Sequence, residues 1–366
     1  MAFFFAKRTS AAPSGGHRHL RQLAACLGSF GVKSYLLFAD ELFPHKPPPA
    51  DWTFGIDVPV APFGFSEACR HLTKDDVVVM PENDADIYLS KTRQWTCRKA
   101  IINQNGFYGV RACPWGGYRH WGVDFAIVTS PYIAALAEVL GGLQSTQILH
   151  LPYWIERVSV RQPHQGETSQ RPISICYMPR KLPRHVEAIT TAVSESTPDQ
   201  NWISIENASD AEVSSILSQS DIFLSTQDLE GFGLPAAEAM ACGCIVAGYA
   251  GTSRFSHPYA TEENGFWARD RCIGEGIQKL EEAIRVTRER GTRYREVLAA
   301  GLATSERYSG DAFRKAASHL ARAATEGRYE FEPVPKIELG KGAWWEIIKL
   351  QRARIKRSMV LKFLHR

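Results

Sequence analysis

The chain has 366 residues, which at roughly 150 residues per domain leaves room for about two domains. Hydrophobic residues make up 44% and charged residues 22%, a globular balance that excludes disordered, collagen-like and coiled-coil chains. No apolar run approaches the ~18 residues that span a bilayer. At the N-terminus, Lys7 and Arg8 follow the apolar run Phe3-Phe4-Phe5-Ala6 instead of preceding it, the reverse of a signal peptide. Eight Cys (26, 69, 97, 113, 176, 242, 244 and 272) contain no Cys-x-x-Cys pair and no regular framework. That usage fits reduced thiols and a cytoplasmic protein.

The net charge of +4 is unevenly distributed. Residues 341–366 hold eight Lys/Arg and one acid, Glu346, whereas the rest of the chain carries 35 basic and 38 acidic side chains. The body therefore has no nucleic-acid footprint, and the excess positive charge lies in one terminal segment.

Along the chain, short apolar runs alternate with stretches of helical periodicity. Phe3 to Ala6 reads as a first strand, followed by a helix with Leu20, Leu23, Ala24 and Leu27 on one face and Gly31 as its stop. Tyr35–Phe38, Val77–Met80, Ala100–Asn103, Phe125–Val128 and Ile148-Leu149 read as buried parallel strands, with a helix from Pro131 to Leu140. Residues 161–171 lose all apolar character and mark a linker. Beyond it the alternation restarts with strands at Ile173–Cys176, Trp202–Ile205, Ile222–Leu224 and Cys244–Ala247, and with helices near 184–195, 210–218, from Pro235 and over 273–324. This pattern predicts an α/β fold of two doubly wound Rossmann-like domains facing a cleft. Its divisions are a domain at 1–152, a linker at 153–171, a second domain at 172–335 and a basic terminal helix at 336–366.

The most informative stretch is Glu230-Gly231-Phe232-Gly233-Leu234-Pro235-Ala236-Ala237-Glu238-Ala239-Met240-Ala241-Cys242-Gly243. A strand ends in a glycine loop that lets backbone N–H groups approach a ligand. Pro235 suits a first helical turn and Gly243 a left-handed stop. The helix N-terminus so delivered is a site for phosphate. Carboxylates at Glu230 and Glu238 flank it, which suits a ligand bearing both phosphate and hydroxyl groups, as a nucleotide-sugar does.

These fourteen residues resemble the donor-site signature of glycosyltransferase family 4 (glycosyl transferases group 1), retaining enzymes of the GT-B fold with two Glu separated by seven residues. The resemblance places Glu230 beside the donor sugar and Glu238 on the ribose. The backbone of Gly231, Phe232, Gly233 and Leu234 would contact sugar and diphosphate. It also implies a basic pair against the diphosphate, with Arg180 as its first member and Lys181 or Arg184 as its second. In the first domain it matches Gly15-Gly16 to a turn near the diphosphate and acceptor. Where relatives carry a sugar-contacting His, this chain has none, and Asn105 or Gln104 takes the place.

The expectation is a retaining, metal-independent glycosyltransferase with no cofactor, taking a nucleotide-diphosphate sugar and a glycan, lipid or small-molecule acceptor. Alternatives on the same scaffold are a nucleotide-sugar epimerase or phosphorylase, or a non-catalytic carbohydrate- or partner-binding protein. Asp84-Ala85-Asp86 has the form of a metal–nucleotide triplet, but it is short enough to arise by chance. His and Cys show no zinc spacing. Phe107, Tyr108, Trp115, Tyr118 and Trp121 lie among five glycines in 106–122 and suit either an acceptor or local packing. In the terminal segment Trp344, Ile348, Ile355, Met359 and Phe363 recur at helical spacing. That stripe fits docking on the first domain, peripheral contact of 341–366 with an anionic inner-membrane surface, or both.

Overall fold

A computed structural model of the chain describes residues 1–8, 15–43, 53–155, 171–251, 258–337, 339–345 and 347–351. Most of the expected linker, Ser14 and the terminal residues Ile355, Met359 and Phe363 lie outside the described residues. The chain forms two compact units, one of Met1–Trp154 with Asp311–Arg366 and one of Ile155–Gly310.

The first unit is built on six strands, β1 (Phe3–Lys7), β2 (Ser34–Phe38), β3 (Val77–Pro81), β4 (Arg98–Asn103), β5 (Phe125–Val128) and β6 (Ile148–His150). They pair in parallel in the order β2-β1-β3-β4-β5-β6. Because side chains alternate across a strand, Phe3, Phe5, Val77, Val79, Ala100, Ile102, Phe125 and Ile127 share one face. There they meet Leu20, Leu23 and Leu27 of the helix Gly15–Ser29.

The same face also takes Phe313, Ala317, Leu320, Ala321 and Ala324 from the helix Gly310–Glu326. Tyr329 stacks on Phe125 at 4.7 Å between ring centroids, and Phe331 N–H donates to Thr146 O at 2.8 Å. The sequence reading placed 311–335 in the second domain, and the fold corrects it. Helical periodicity reveals that a face is buried but not which sheet buries it. Residues 341–345 and 347–351 are helical, with Ala343 and Ile347 buried, and Gln351 Nε2 donates to Val110 O at 2.7 Å.

The second unit has five parallel strands, β7 (Ile173–Tyr177), β8 (Gln200–Ser204), β9 (Ile222–Thr226), β10 (Ile245–Tyr249) and β11 (Phe266–Ala268), in the order β11-β10-β9-β7-β8. Its core joins Ile175, Ile222, Leu224, Ile245 and Ala247 to Ile189 and Val193 of the helix Pro183–Ser196 and to Leu280 and Ile284 of the helix Ile273–Glu289. β11 is three residues long and gives no periodic signal, so the sequence reading has no strand there. The long helical stretch resolves into Ile273–Glu289, Thr292–Glu306 and Gly310–Glu326, broken first where Arg290 turns left-handed at φ +46°.

Among the described residues no helix is long and apolar enough to cross a membrane. In each sheet the chain leaves a central strand toward both sides, from β1 to β2 and to β3, and from β7 to β8 and to β9. Such a reversal opens a crevice beyond the carboxyl ends of the two neighbouring strands, where ligands bind in open α/β sheets.

Candidate active site

In the second unit that crevice lies beyond β7 and β9. Tyr177-Met178-Pro179-Arg180-Lys181 leads out of β7, and Gln227 to Gly233 leads out of β9. The second of these loops feeds the helix Leu234–Ala241, with Pro235 in its first turn. Gly233 has φ +84°, and a Cβ there would stand 2.0 Å from Gln227 Oε1. Only glycine fits both the left-handed backbone and the close approach. Gly243 likewise turns left-handed, at φ +87°, to end the helix.

The loop is pinned on all sides. Glu230 N–H donates to Gly251 O at 2.8 Å, and Gly251 N–H donates to Asp270 Oδ1 at 2.8 Å. Arg271 holds Asp228 with two bonds, Nε to Oδ1 at 2.8 Å and Nη2 to Oδ2 at 2.6 Å. Tyr259 O–H donates to Gly233 O at 2.5 Å. Burial, then the nearby Tyr308, Glu230 and Glu238, push the Tyr259 phenol well above its ordinary range. It therefore stays protonated and keeps donating. The Phe232 ring packs into an aromatic cluster, 4.9 Å from Tyr259 and 4.6 Å from Tyr308.

Lys181 bridges the two loops. Its Nζ forms an ion pair with Glu230 and also donates to Asp228 O at 3.2 Å. Both side chains remain partly exposed, 30% for Lys181 and 22% for Glu230. Arg180 is exposed beside it, and Glu238 is half-buried one turn into the helix. One carboxylate and one ammonium thus meet at one strand crossover, in the loop that feeds a helix N-terminus. Arg184 is exposed in the first turn of the helix Pro183–Ser196, so of the two candidate partners for Arg180 the structure brings Lys181 to Glu230. His185, where a more widely spaced cation would fall, has its Nδ1 3.3 Å from Tyr249 Oη.

In the first unit, Gly15 and Gly16 open the helix Gly15–Ser29, and Gly16 O accepts from Gln104 Nε2 at 3.2 Å. Tyr153 O–H donates to Gln104 Oε1 at 3.2 Å, which fixes the amide. Asn105 caps the helix Gly106–Ala112. Its side-chain oxygen accepts from Phe107 N–H at 2.9 Å and Tyr108 N–H at 3.4 Å, and the residue is buried. Asp84 lies 3.6 Å from Arg8 Nη2 and accepts from Asn83 Nδ2 at 2.8 Å, while Asp86 Oδ1 accepts from Ile87 N–H at 3.0 Å. Among the described residues no group of three His, Cys, Asp or Glu is placed to hold a metal ion.

Sequence reasoning passes over Gln227, Asp228, Gly251, Tyr259 and Arg271, which shape the glycine loop from outside its motif. Only Gln227 and Asp228, within three residues of Glu230, lie near enough in the chain to have drawn notice. It also passes over two buried titratable groups. Burial pushes Glu82 up to about 7 although Asn105 N–H donates to it at 2.9 Å. Burial, then Arg18, lowers His19 to about 3, with its ring 4.5 Å from Tyr153 and 5.5 Å from Phe313.

Residues 195–294, all in the second unit, match the family described as Glycosyl transferases group 1. The chain is 25% identical over 223 residues to an alpha-1,6-glucosyltransferase of Actinobacillus pleuropneumoniae serotype 7, a match covering 58% of this chain and 64% of that protein. It resembles the apo structure of the lipopolysaccharide outer core galactosyltransferase WaaB, at TM-score 0.62 and 13% identity over 89% of this chain and 99% of that one. The structure of Anabaena HepE in complex with UDP is similar at TM-score 0.59 and 13% identity, over 89% of this chain and 100% of that one. At such identities the likeness is one of fold. The chain has the α/β fold of two Rossmann-like domains that these glycosyltransferase structures have.

Proposed function

We propose that this chain, whose second unit carries a glycosyl transferases group 1 region, moves a sugar from a nucleotide-diphosphate donor to an acceptor hydroxyl with retention of configuration. The observation that carries this reading is the meeting of Lys181 and Glu230 at the crossover between β7 and β9, beside the helix N-terminus at Leu234. Lys181, Arg180 and that N-terminus supply positive charge where the departing diphosphate gathers negative charge, and such preorganised charge lowers a barrier without covalent catalysis. Glu230 stands beside the donor sugar and Glu238 takes the ribose. Gly231 to Leu234 present backbone N–H groups, and Arg184 adds positive charge toward the diphosphate. In the first unit Gly15 and Gly16 face the acceptor side.

In the reaction the bond from the anomeric carbon to the phosphate oxygen breaks and the acceptor oxygen takes its place on the same face. The acceptor proton passes to the leaving phosphate oxygen. No residue need become covalently attached, and no metal is required. Transfer would take place in the cytoplasm, to a glycan or lipid acceptor.

The test has two steps. Melting temperature measured with UDP, GDP and ADP identifies the nucleotide, because a ligand that binds only the native state raises it. UDP comes first, since it is bound in the HepE complex. Release of nucleotide from the donor is then followed with and without sugar acceptors in the presence of a chelator. Acceptor-dependent release that survives chelation is expected. A sugar nucleotide isomerised with no acceptor would mean an epimerase. Loss of activity on chelation with recovery on Mn²⁺ would overturn the metal-free mechanism.

A further inference from the structure

Ten large apolar residues are exposed among those described, and five of them, Tyr108, Trp115, Trp344, Trp345 and Ile348, come from only two segments of the first unit. Trp115 is 80% exposed and Trp345 63%. The two segments touch. Gln351 Nε2 donates to Val110 O at 2.7 Å, which joins the helical segment 347–351 to the helix Gly106–Ala112. Ala343 and Ile347 face inward at 2% and 4% exposure, so Trp344 and Ile348, four residues apart on the neighbouring stripe, line the outer side toward Gln351. Tyr108 and Arg111 flank Val110, with the Arg111 guanidinium 5.3 Å from the Tyr108 ring. Trp121 Nε1 donates to Trp115 O at 2.9 Å and fixes the turn that displays Trp115. A single exposed aromatic is ordinary, but a group gathered from two contacting segments marks an interaction surface.

In sequence both segments carry an excess of positive charge. Residues 106–121 contain Arg111 and Arg119 and no acid, and residues 341–366 carry eight Lys/Arg against Glu346 alone. Tryptophan and tyrosine beside clustered Lys/Arg is the composition of a surface that lies in the headgroup layer of an anionic membrane. We infer that Tyr108, Trp115, Trp344, Trp345 and Ile348 form a docking surface for an anionic phospholipid bilayer, with the Lys/Arg that these two segments carry drawing it to the lipid headgroups. This goes beyond the proposed transfer reaction and stands whether or not the acceptor is a lipid.

The test uses the full chain with vesicles of phosphatidylcholine alone and of phosphatidylcholine with about 30% phosphatidylglycerol, at low and high salt. Binding is read by sedimentation and by quenching of tryptophan with brominated lipid. The expected pattern is binding at least tenfold stronger to the anionic vesicles, lost at high salt, with quenching of the exposed tryptophans. W115A/W345A should lower binding by about tenfold or more, since each removes a large ring from the interface. The full-length variant R352Q/R354Q/K356Q/R357Q should remove the preference for phosphatidylglycerol and leave the melting temperature unchanged. Equal binding to both vesicle types, or full binding by W115A/W345A, would overturn the inference. So would retention on an anionic polysaccharide without lipid binding, which would make the surface a glycan platform.

Discussion

Lys181 and Glu230 should respond in opposite directions when each is changed alone. If Lys181 serves the diphosphate, its ion pair with Glu230 is a resting contact that competes with the ligand, and Glu230 places a negative charge beside phosphates. With side chains 30% and 22% exposed, the pair is screened by water and contributes about 1 kcal/mol at most. Glu230→Gln removes that competitor and should tighten binding of the free nucleoside diphosphate by up to about fivefold, 1.4 kcal/mol being tenfold. The same change should depress turnover strongly, because the donor sugar loses its carboxylate. Lys181→Ala removes a charge-assisted contact of about 1.5–3 kcal/mol and should weaken the nucleoside diphosphate by roughly 10- to 150-fold. Calorimetric titration at low salt, using the nucleotide that raises the melting temperature, measures both. Tenfold weaker binding by Glu230→Gln, or unchanged binding by Lys181→Ala, would refute the assignment of Lys181 to the diphosphate.

Gly233→Ala forces a methyl into a backbone at φ +84°, 2.0 Å from Gln227 Oε1. It should cost ~1–2 kcal/mol of stability and abolish nucleotide binding, which melting and titration of the same sample would show. His19 is held neutral down to about 3, while the unfolded chain takes up its proton near its ordinary 6.5. Stability should therefore fall as pH drops from 6.5 toward 3, and His19→Leu should flatten that limb in pH-dependent denaturation. Glu82 acts with the opposite sign. Its folded carboxyl is raised from 4.5 to about 7, so stability should fall as pH rises through that window, and Glu82→Gln should remove the slope. Phe313→Ala should destabilise the first unit by about 3–5 kcal/mol and raise hydrogen exchange in β1 and β4. Unchanged exchange there would place the helix Gly310–Glu326 elsewhere.

What the sequence revealed, and what it hid, divides by the range of the forces involved. β1, β3, β5, β9 and β10 were legible because strands buried on both faces are apolar throughout, and each lies within two residues of its expected place. The glycine loop was legible because its backbone needs Gly233 and Gly243 at fixed distances from Pro235. The capping role of Asn105 was not legible because a cap and a sugar contact want the same side-chain oxygen, and only the observed bonds to Phe107 and Tyr108 N–H reveal the cap. The Asp228–Arg271 and Tyr259–Gly233 contacts join residues far apart in the chain, and no local pattern encodes such pairings. The placement of Phe313 was hidden for the same reason, since an apolar helix face does not name its partner.

The return of Phe313, Leu320 and Tyr329 to the first sheet also sets an order of events during synthesis. β1 to β6 are made before the whole of Ile155–Gly310, and the helix that covers their apolar face is made after it. The second unit is continuous in the chain and can close as it emerges from the ribosome. The first must wait with Phe3, Val79 and Phe125 only partly covered, by the helix Gly15–Ser29 but not yet by Gly310–Glu326, and open to chaperones in the interval. The part of the chain made first is therefore the part completed last, so a ribosome stalled within the second unit would release a first unit with one open face.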